Sequence, residues 1–171
     1  MEIKRITGEE YDKFYGMLED DFCADERKSK DAEFEAFADE KFSPNFIYDG
    51  DNLLGYVCFW NFDNFVYIEH LAIAKQLRGH GIGSKFLNEF VLNFKKDIIL
   101  EAELPVETIA KKRISFYERN GFVLNPYEYY QPAYREDSNT VPMLVMSHGN
   151  KLPENIFNSY IEKIKQHVYH K

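Results

Sequence analysis

Apolar residues recur at two different spacings along the chain, and the switches between them mark the elements. Glu2 to Thr7 reads as a short first strand. Tyr11, Phe14, Tyr15 and Leu18 fall at helical spacing over 9–21. A charged run over 20–31 reads as a loop or helix junction. Phe34, Phe37 and Ala38 share one face of a second helix predicted over 32–42, with Pro44-Asn45 as its stop. Three strands follow, over 46–48, 53–61 and 65–74. The first two are joined by Asp49-Gly50-Asp51-Asn52, a good hairpin signal, and the last two by Phe62-Asp63-Asn64. A helix over 82–94 carries Ile82, Phe86, Leu87, Phe90 and Val91 on its apolar face. The strand 97–104 is broken by Pro105, and a helix over 109–120 ends on Gly121. Strands over 122–127 and 141–147 flank an aromatic segment, 127–140, that reads as a long loop or irregular hairpin. Pro153 sits near the start of a closing helix whose apolar face holds Ile156, Phe157, Tyr160, Ile161, Ile164 and Val168.

This order predicts a single mixed α/β domain. Its central sheet has about seven strands, antiparallel early and gaining parallel pairs later. Residues 1–150 are expected to form the domain, with 151–171 as a C-terminal helix packed on it or on the partner in a homodimer.

Composition narrows the class. The chain has 171 residues, of which 44% are hydrophobic, enough for one sizeable core. The formal net charge is -8, which disfavours nucleic acid as a partner and suits a cationic one. Cys23 and Cys58 have no metal-ligand spacing, so free thiols and no metal are expected. No segment is long and apolar enough to span a bilayer, and the N-terminus lacks an apolar signal region. A cytoplasmic protein without a membrane partner is the expectation.

The chemistry concentrates in Leu71 to Ser84. An apolar strand runs into a polar turn with glycines at 79, 81 and 83, which opens the helix. Each glycine costs roughly 1 kcal/mol in a helix interior, so bare backbone is needed there. Its likeness to anion cradles is physical: amide N–H groups at a helix N-terminus attract negative charge, and Lys75 and Arg78 add to it. A dinucleotide fingerprint does not fit, because the third glycine comes one residue early. Nor does a P-loop, since Ser84-Lys85 stand in the reverse order.

Gln76-Leu77-Arg78-Gly79-His80-Gly81 resembles the acyl-CoA pyrophosphate signature, Gln/Arg-x-x-Gly-x-Gly/Ala, of the Gcn5-related N-acetyltransferases. Phe116-Tyr117-Glu118-Arg119-Asn120-Gly121-Phe122 is similar to that superfamily's late helix, turn and strand. The resemblance covers about the first 150 residues. It implies the acyl-CoA N-acyltransferase fold, acetyl-CoA as donor, and a small-molecule or peptide primary amine as acceptor. It implies further that Gln76, Leu77, Arg78, Gly79, His80, Gly81, Ile82, Gly83 and Ser84 hold the pyrophosphate. Leu71, Ala72 and Ile73 would pair with the pantetheine arm on a splayed strand, and Tyr117 would protonate the leaving thiolate. Where the family often has Asn, seven residues before the tyrosine, this chain has Ala110, so Lys111 or Arg113 would supply another contact. Two alternatives stand: a non-catalytic acyl-CoA-binding module, and a transferase using another acyl group or acceptor.

An amine must lose a proton before attack, at a cost of about 4–5 kcal/mol for a lysine-like group. Glu69 is the first candidate base and His70 the second. On a regular strand Tyr67, Glu69 and Leu71 would share one face, and Ile68, His70 and Ala72 the other. The alternative for Glu69 is a pairing with a buried Arg or Lys, or a solvated strand end. Glu101 and Glu103 could line an acceptor pocket or relay a proton. By the family's acceptor geometry, Phe22, Glu26, Arg27, Tyr129, Tyr130 and Tyr134 join them as candidates.

Overall fold

The structure, a computed structural model, describes residues 1–136 and 139–169. The predictions for 127–140 and for the end of the closing helix reach residues 137–138 and 170–171, which lie outside the described residues. The strands are β1 (Glu2–Arg5), β2 (Phe42–Asp49), β3 (Asn52–Asn61), β4 (Phe65–Ile73), β5 (Asp97–Glu103), β6 (Phe122–Leu124), β7 (Tyr129–Gln131) and β8 (Val141–His148). The helices are α1 (Tyr11–Asp21), α2 (Lys30–Ala36), α3 (Ile82–Val91), α4 (Thr108–Arg119) and α5 (Glu154–Ile164), and a π-helical turn, Lys165–Tyr169, prolongs α5.

The sheet order is β1-β2-β3-β4-β5-β8-β6, with β7 also paired to β8. Only β4 and β5 run parallel among these pairs. One face buries Phe14, Leu18, Tyr56, Trp60, Tyr67, Phe157 and Ile164, which brings α1 and α5 onto one layer. The other buries Val57, Phe59, Ile68, Phe86, Leu87, Leu100 and Ile114, the contacts of α3 and α4. Among the described residues no helix is long and apolar enough to cross a membrane.

Three sequence expectations are corrected. The second helix ends at Ala36, and Phe42 already pairs with Trp60 in β2. Pro44 therefore lies within a strand, where its carbonyl accepts from Ile6 N at 3.0 Å, and does not stop a helix. The aromatic spacing over 34–42 suits a helix, but cross-strand pairing with β3 outweighs that local preference. The aromatic segment holds a short strand, β7, and β6 is three residues long. Pro153 caps α5 from outside its first turn.

The third correction moves chemistry. His70 pairs with Cys58 and Ile68 with Phe59, so Glu69 is an extra residue on β4, a β-bulge. The bulge breaks the alternation, and Glu69 and His70 both face the α1 side. Glu69 bonds Trp60 there, and His70 packs edge-on to Phe22 at 4.5 Å. One glycine is demanded nearby: a Cβ on Gly55 would lie 2.0 Å from the carbonyl oxygen of Ala72, across the β3–β4 contact.

Pairing between β4 and β5 stops at Ile68–Leu100, although the strands continue to Ile73 and Glu103. From Glu101 onward β5 stays bonded only to β8. The two strands thus part into a wedge just beyond the bulge.

Candidate active site

The wedge opens into a cavity of about 690 Å³. One wall is the free edge of β4, through Leu71, Ala72 and Ile73. The floor is the glycine turn, through Leu77, Arg78, Gly79, Gly81, Ile82, Gly83 and Ser84. Of the residues expected there, Gln76 and His80 are exposed and line no part of it. Gly79 and Gly81 hold φ of +82° and +77°, a region costly for residues with a Cβ, and nothing lies within 4 Å of where their Cβ would be. Gly81 is the N-cap of α3, so open space stands before the helix's unpaired amides. Lys112, Arg113 and Arg119 of α4 join Arg78 around the cavity. Lys111, the other substitute considered for the missing Asn, does not line it. The set suits a diphosphate: backbone donors at a helix N-terminus with cationic side chains around them.

Arg78 also ties the turn to the opposite layer. It donates to Ile73 O at 2.7 Å and to Asp21 Oδ1 at 2.6 Å. On the far side Asn120 donates to Ser84 Oγ at 3.1 Å, joining α4 to α3.

Glu69 lines the cavity, and it is paired. One carboxylate oxygen bonds the Lys28 ammonium, and the other accepts from Trp60 Nε1 at 2.7 Å. Burial alone would raise its pKa. Together the Lys28 ammonium, His70 and the Trp60 bond outweigh burial and hold the carboxyl below its ordinary range. Lys28 is 7% exposed, and Glu69 and Glu33 hold its pKa up against burial.

His70 bonds the carbonyl of Glu26 through Nε2 at 2.9 Å. A carbonyl only accepts, so Nε2 carries the proton and Nδ1 is bare. That Nδ1 is buried without a partner among the described residues, and burial pushes the ring's pKa down. Glu103 pairs with Arg113 at 2.9 Å.

Tyr117 stands half-buried on the cavity wall, between Phe116 and Phe122, with no hydrogen bond to a described residue. Burial raises its pKa against the opposing charge of Arg113. Glu101 lines the cavity too, but its oxygens are spoken for. Tyr129 donates at 2.6 Å, and Gln131 and Tyr169 each at 2.8 Å. Burial raises its pKa against these bonds.

Phe22 reaches the cavity, while the other acceptor candidates Glu26, Arg27, Glu103, Tyr129, Tyr130 and Tyr134 do not line it. Arg27 is 8% exposed and spends its guanidinium on Phe22 O, Tyr15 and Glu19. Tyr130 points away from its neighbours Tyr129 and Gln131, is 50% exposed and bonds Glu128. Alternation along β7 accounts for this. Lys28, Trp60, Glu33 and Tyr169 are absent from the sequence reading. Lys28 sits in a charge run that looks like solvated surface, and no spacing links it to Glu69, 41 residues on.

The family model of the acetyltransferase (GNAT) domain matches residues 43–124, from β2 to the end of β6. A solved GNAT-family structure from Bacteroides thetaiotaomicron, described as a candidate acetyltransferase, is 35% identical. It covers 99% of this chain and 98% of its own, with a TM-score of 0.92. YjbC of Bacillus subtilis strain 168, likewise a candidate acetyltransferase, is 34% identical over 113 residues, which is 64% of this chain and 56% of that protein. A Bacillus subtilis acetyltransferase solved with CoA shares the fold at 18% identity, with a TM-score of 0.59 over 87% of this chain and 97% of its own. The chain belongs to the GNAT acetyltransferase family.

Proposed function

We propose that the protein moves an acetyl group from acetyl-CoA to a primary amine, on a small molecule or peptide, by direct attack in a ternary complex. One observation carries this reading. The glycine turn with its cationic neighbours and a buried carboxylate, Glu69, line a single cavity in the β4–β5 wedge, and this supports the reading. The cradle from Arg78 to Ser84, with Arg119, takes the diphosphate. The unpaired edge at Leu71–Ile73 orients the pantetheine amides, and an edge amide polarises the thioester carbonyl.

Glu69 receives a proton from the incoming ammonium. The freed nitrogen attacks the carbonyl carbon, the C–N bond forms and the C–S bond breaks. Tyr117 gives its proton to the departing sulfur and recovers one from the nitrogen by way of solvent. Phe22 supplies an acceptor-side wall. One observation favours a second reading, a non-catalytic acyl-CoA-binding module: Glu69 is already paired with Lys28.

The test is a panel of amines with acetyl-CoA, reading free thiol and amide together, beside calorimetry with CoA. Heat with CoA and thiol matched by amide supports the transferase. Heat without transfer to any amine leaves the binding module. No heat with CoA or acetyl-CoA on folded protein defeats both.

A further inference from the structure

A second cavity, of about 460 Å³, lies on the α2 side. It backs directly onto the first. Glu69 and Glu101 line the first cavity, while their bonded partners Lys28, Trp60 and Tyr169 line the second. The partition is therefore one layer of side chains thick, and Lys28 on Glu69 is part of it.

The floor of the second cavity already displays how it treats an ammonium. Lys28 Nζ sits 5.1 Å from the ring centre of Tyr134, 5.6 Å from Trp60 and 5.9 Å from Phe42, with Glu69 as its counter-ion. Aromatic faces and a desolvated carboxylate are the recognition chemistry for a primary ammonium. Asp31, Glu35 and Asp39 line the same cavity toward the surface. Only Asp39 has an ion-pair partner among the described residues, His167 at 3.3 Å.

Beside Lys28 there is an anomaly. Glu33 is 0% exposed, and neither of its carboxylate oxygens has a hydrogen-bond partner among the described residues. A buried carboxyl without a donor is costly and calls for a reason. Lys28 is the cation whose charge acts on it, and Lys28 is bonded elsewhere. Two buried carboxylates thus share one ammonium, with one bond made and one open.

Building on the transferase reading, we propose that the second cavity is the acceptor entrance for a dicationic amine. Its leading ammonium replaces Lys28 on Glu69, Lys28 moves to Glu33, and its trailing charge rests among Asp31, Glu35 and Asp39. The exchange opens the partition at the carboxylate that takes the amine's proton. It balances the buried charge, because the incoming ammonium leaves each carboxylate with one cation.

The experiment is calorimetry on the full chain, with and without CoA, using 1,5-diaminopentane and 1-aminopentane as probes. The diamine is expected to bind at least tenfold tighter than the monoamine. Asp31→Asn with Glu35→Gln, both at exposed positions, should erase that advantage. Glu33→Gln should weaken both amines at least tenfold with CoA binding unchanged, and Glu33→Asp should restore part of the loss. Equal affinities for the two amines, no diamine heat, or a Glu33→Gln variant that binds as the parent does would each overturn the inference. Diamine binding with this mutational pattern, but no acetyl transfer, would support the entrance and overturn the transferase reading. Transfer to neutral or singly charged amines that ignores Asp31, Glu35 and Glu33 would do the reverse.

Discussion

Tyr169, from the last turn of the described chain, donates its phenol to Glu101 in β5 at 2.8 Å. The same oxygen accepts from Gln131 Nε2 at 2.9 Å and lies 3.2 Å from Tyr67 OH. A segment beyond the matched family model thereby fixes a carboxylate on the cavity wall. Tyr169→Phe keeps the ring but removes the hydroxyl, leaving Glu101 and Gln131 each a partner short. The expected cost is about 1–3 kcal/mol in urea unfolding. Glu101, already raised by burial, should titrate higher still.

The Lys28–Glu69 pair separates contribution from necessity. Lys28→Met strands a buried carboxylate, at an expected cost of about 3–5 kcal/mol. Lys28→Met with Glu69→Gln should recover part of that, since Gln still accepts from Trp60, while Glu33 stays without the cation that offsets its burial. A double-mutant cycle by chemical unfolding measures the coupling. Glu69→Gln alone should cut acetyl transfer by about 10²–10⁴-fold, the range for losing a general base, with CoA affinity unchanged.

Much of this was legible in the order of apolar runs. The glycine turn, Tyr117 and the strands around them are local signals, because a turn with positive φ and a helix start are set by a few adjacent residues. Ten of the twelve residues expected at a donor site line this one cavity. What stayed hidden depends on register. A one-residue bulge at Glu69 changes no composition and no spacing, yet it turns His70 onto the same face as its neighbour. The Lys28 partnership needs α2 folded over β4, and Tyr169 needs α5 returned to β5. Arg27 and Lys28 are adjacent in one charge run. Only the tertiary path sends one to α1 and the other to the bulge.

Glu33 gives a pH signature. Burial lifts its pKa to about 7, with Lys28 opposing and Glu69 adding to the rise. An acid raised on folding binds more protons in the native state than in the unfolded state. Stability is thus lost as pH climbs from the unfolded value near 4.5 through about 7, and is level above that. Glu33→Gln removes the titration. Its stability gain over the parent should therefore grow between pH 5 and pH 8, by roughly 2 kcal/mol. Urea unfolding at the two pH values measures this, and a gain independent of pH would exclude an ionising Glu33.

Gly81 is where strain and ligand affinity can be told apart. Gly81→Ala at φ +77° should cost about 1–2 kcal/mol of stability and place a methyl in the space before the α3 amides. Gly50→Ala is the control, at φ +58° in the β2–β3 hairpin, with open space around it and no part in the cavity. Both variants should unfold earlier. Only Gly81→Ala should weaken CoA, at least tenfold by calorimetry.

Tyr117→Phe tests the proton donor without disturbing the wall that carries it. The ring's contacts with Phe116 at 5.3 Å and Phe122 at 5.8 Å do not involve the hydroxyl. The hydroxyl has no hydrogen-bond partner among the described residues, so its removal leaves no group stranded. Stability and CoA affinity should therefore match the parent, while kcat falls about 10²-fold, the lower end for general acid catalysis. The pH dependence adds a sign. Burial raises the Tyr117 pKa, so the acid form persists into alkaline solution, and the rate lost as the phenol ionises should be lost only above its ordinary value near 10. That alkaline fall in kcat should be absent from Tyr117→Phe. A variant that releases thiol and forms amide at the parent rate would remove Tyr117 from the chemistry and leave it a packing residue between α4 and β6.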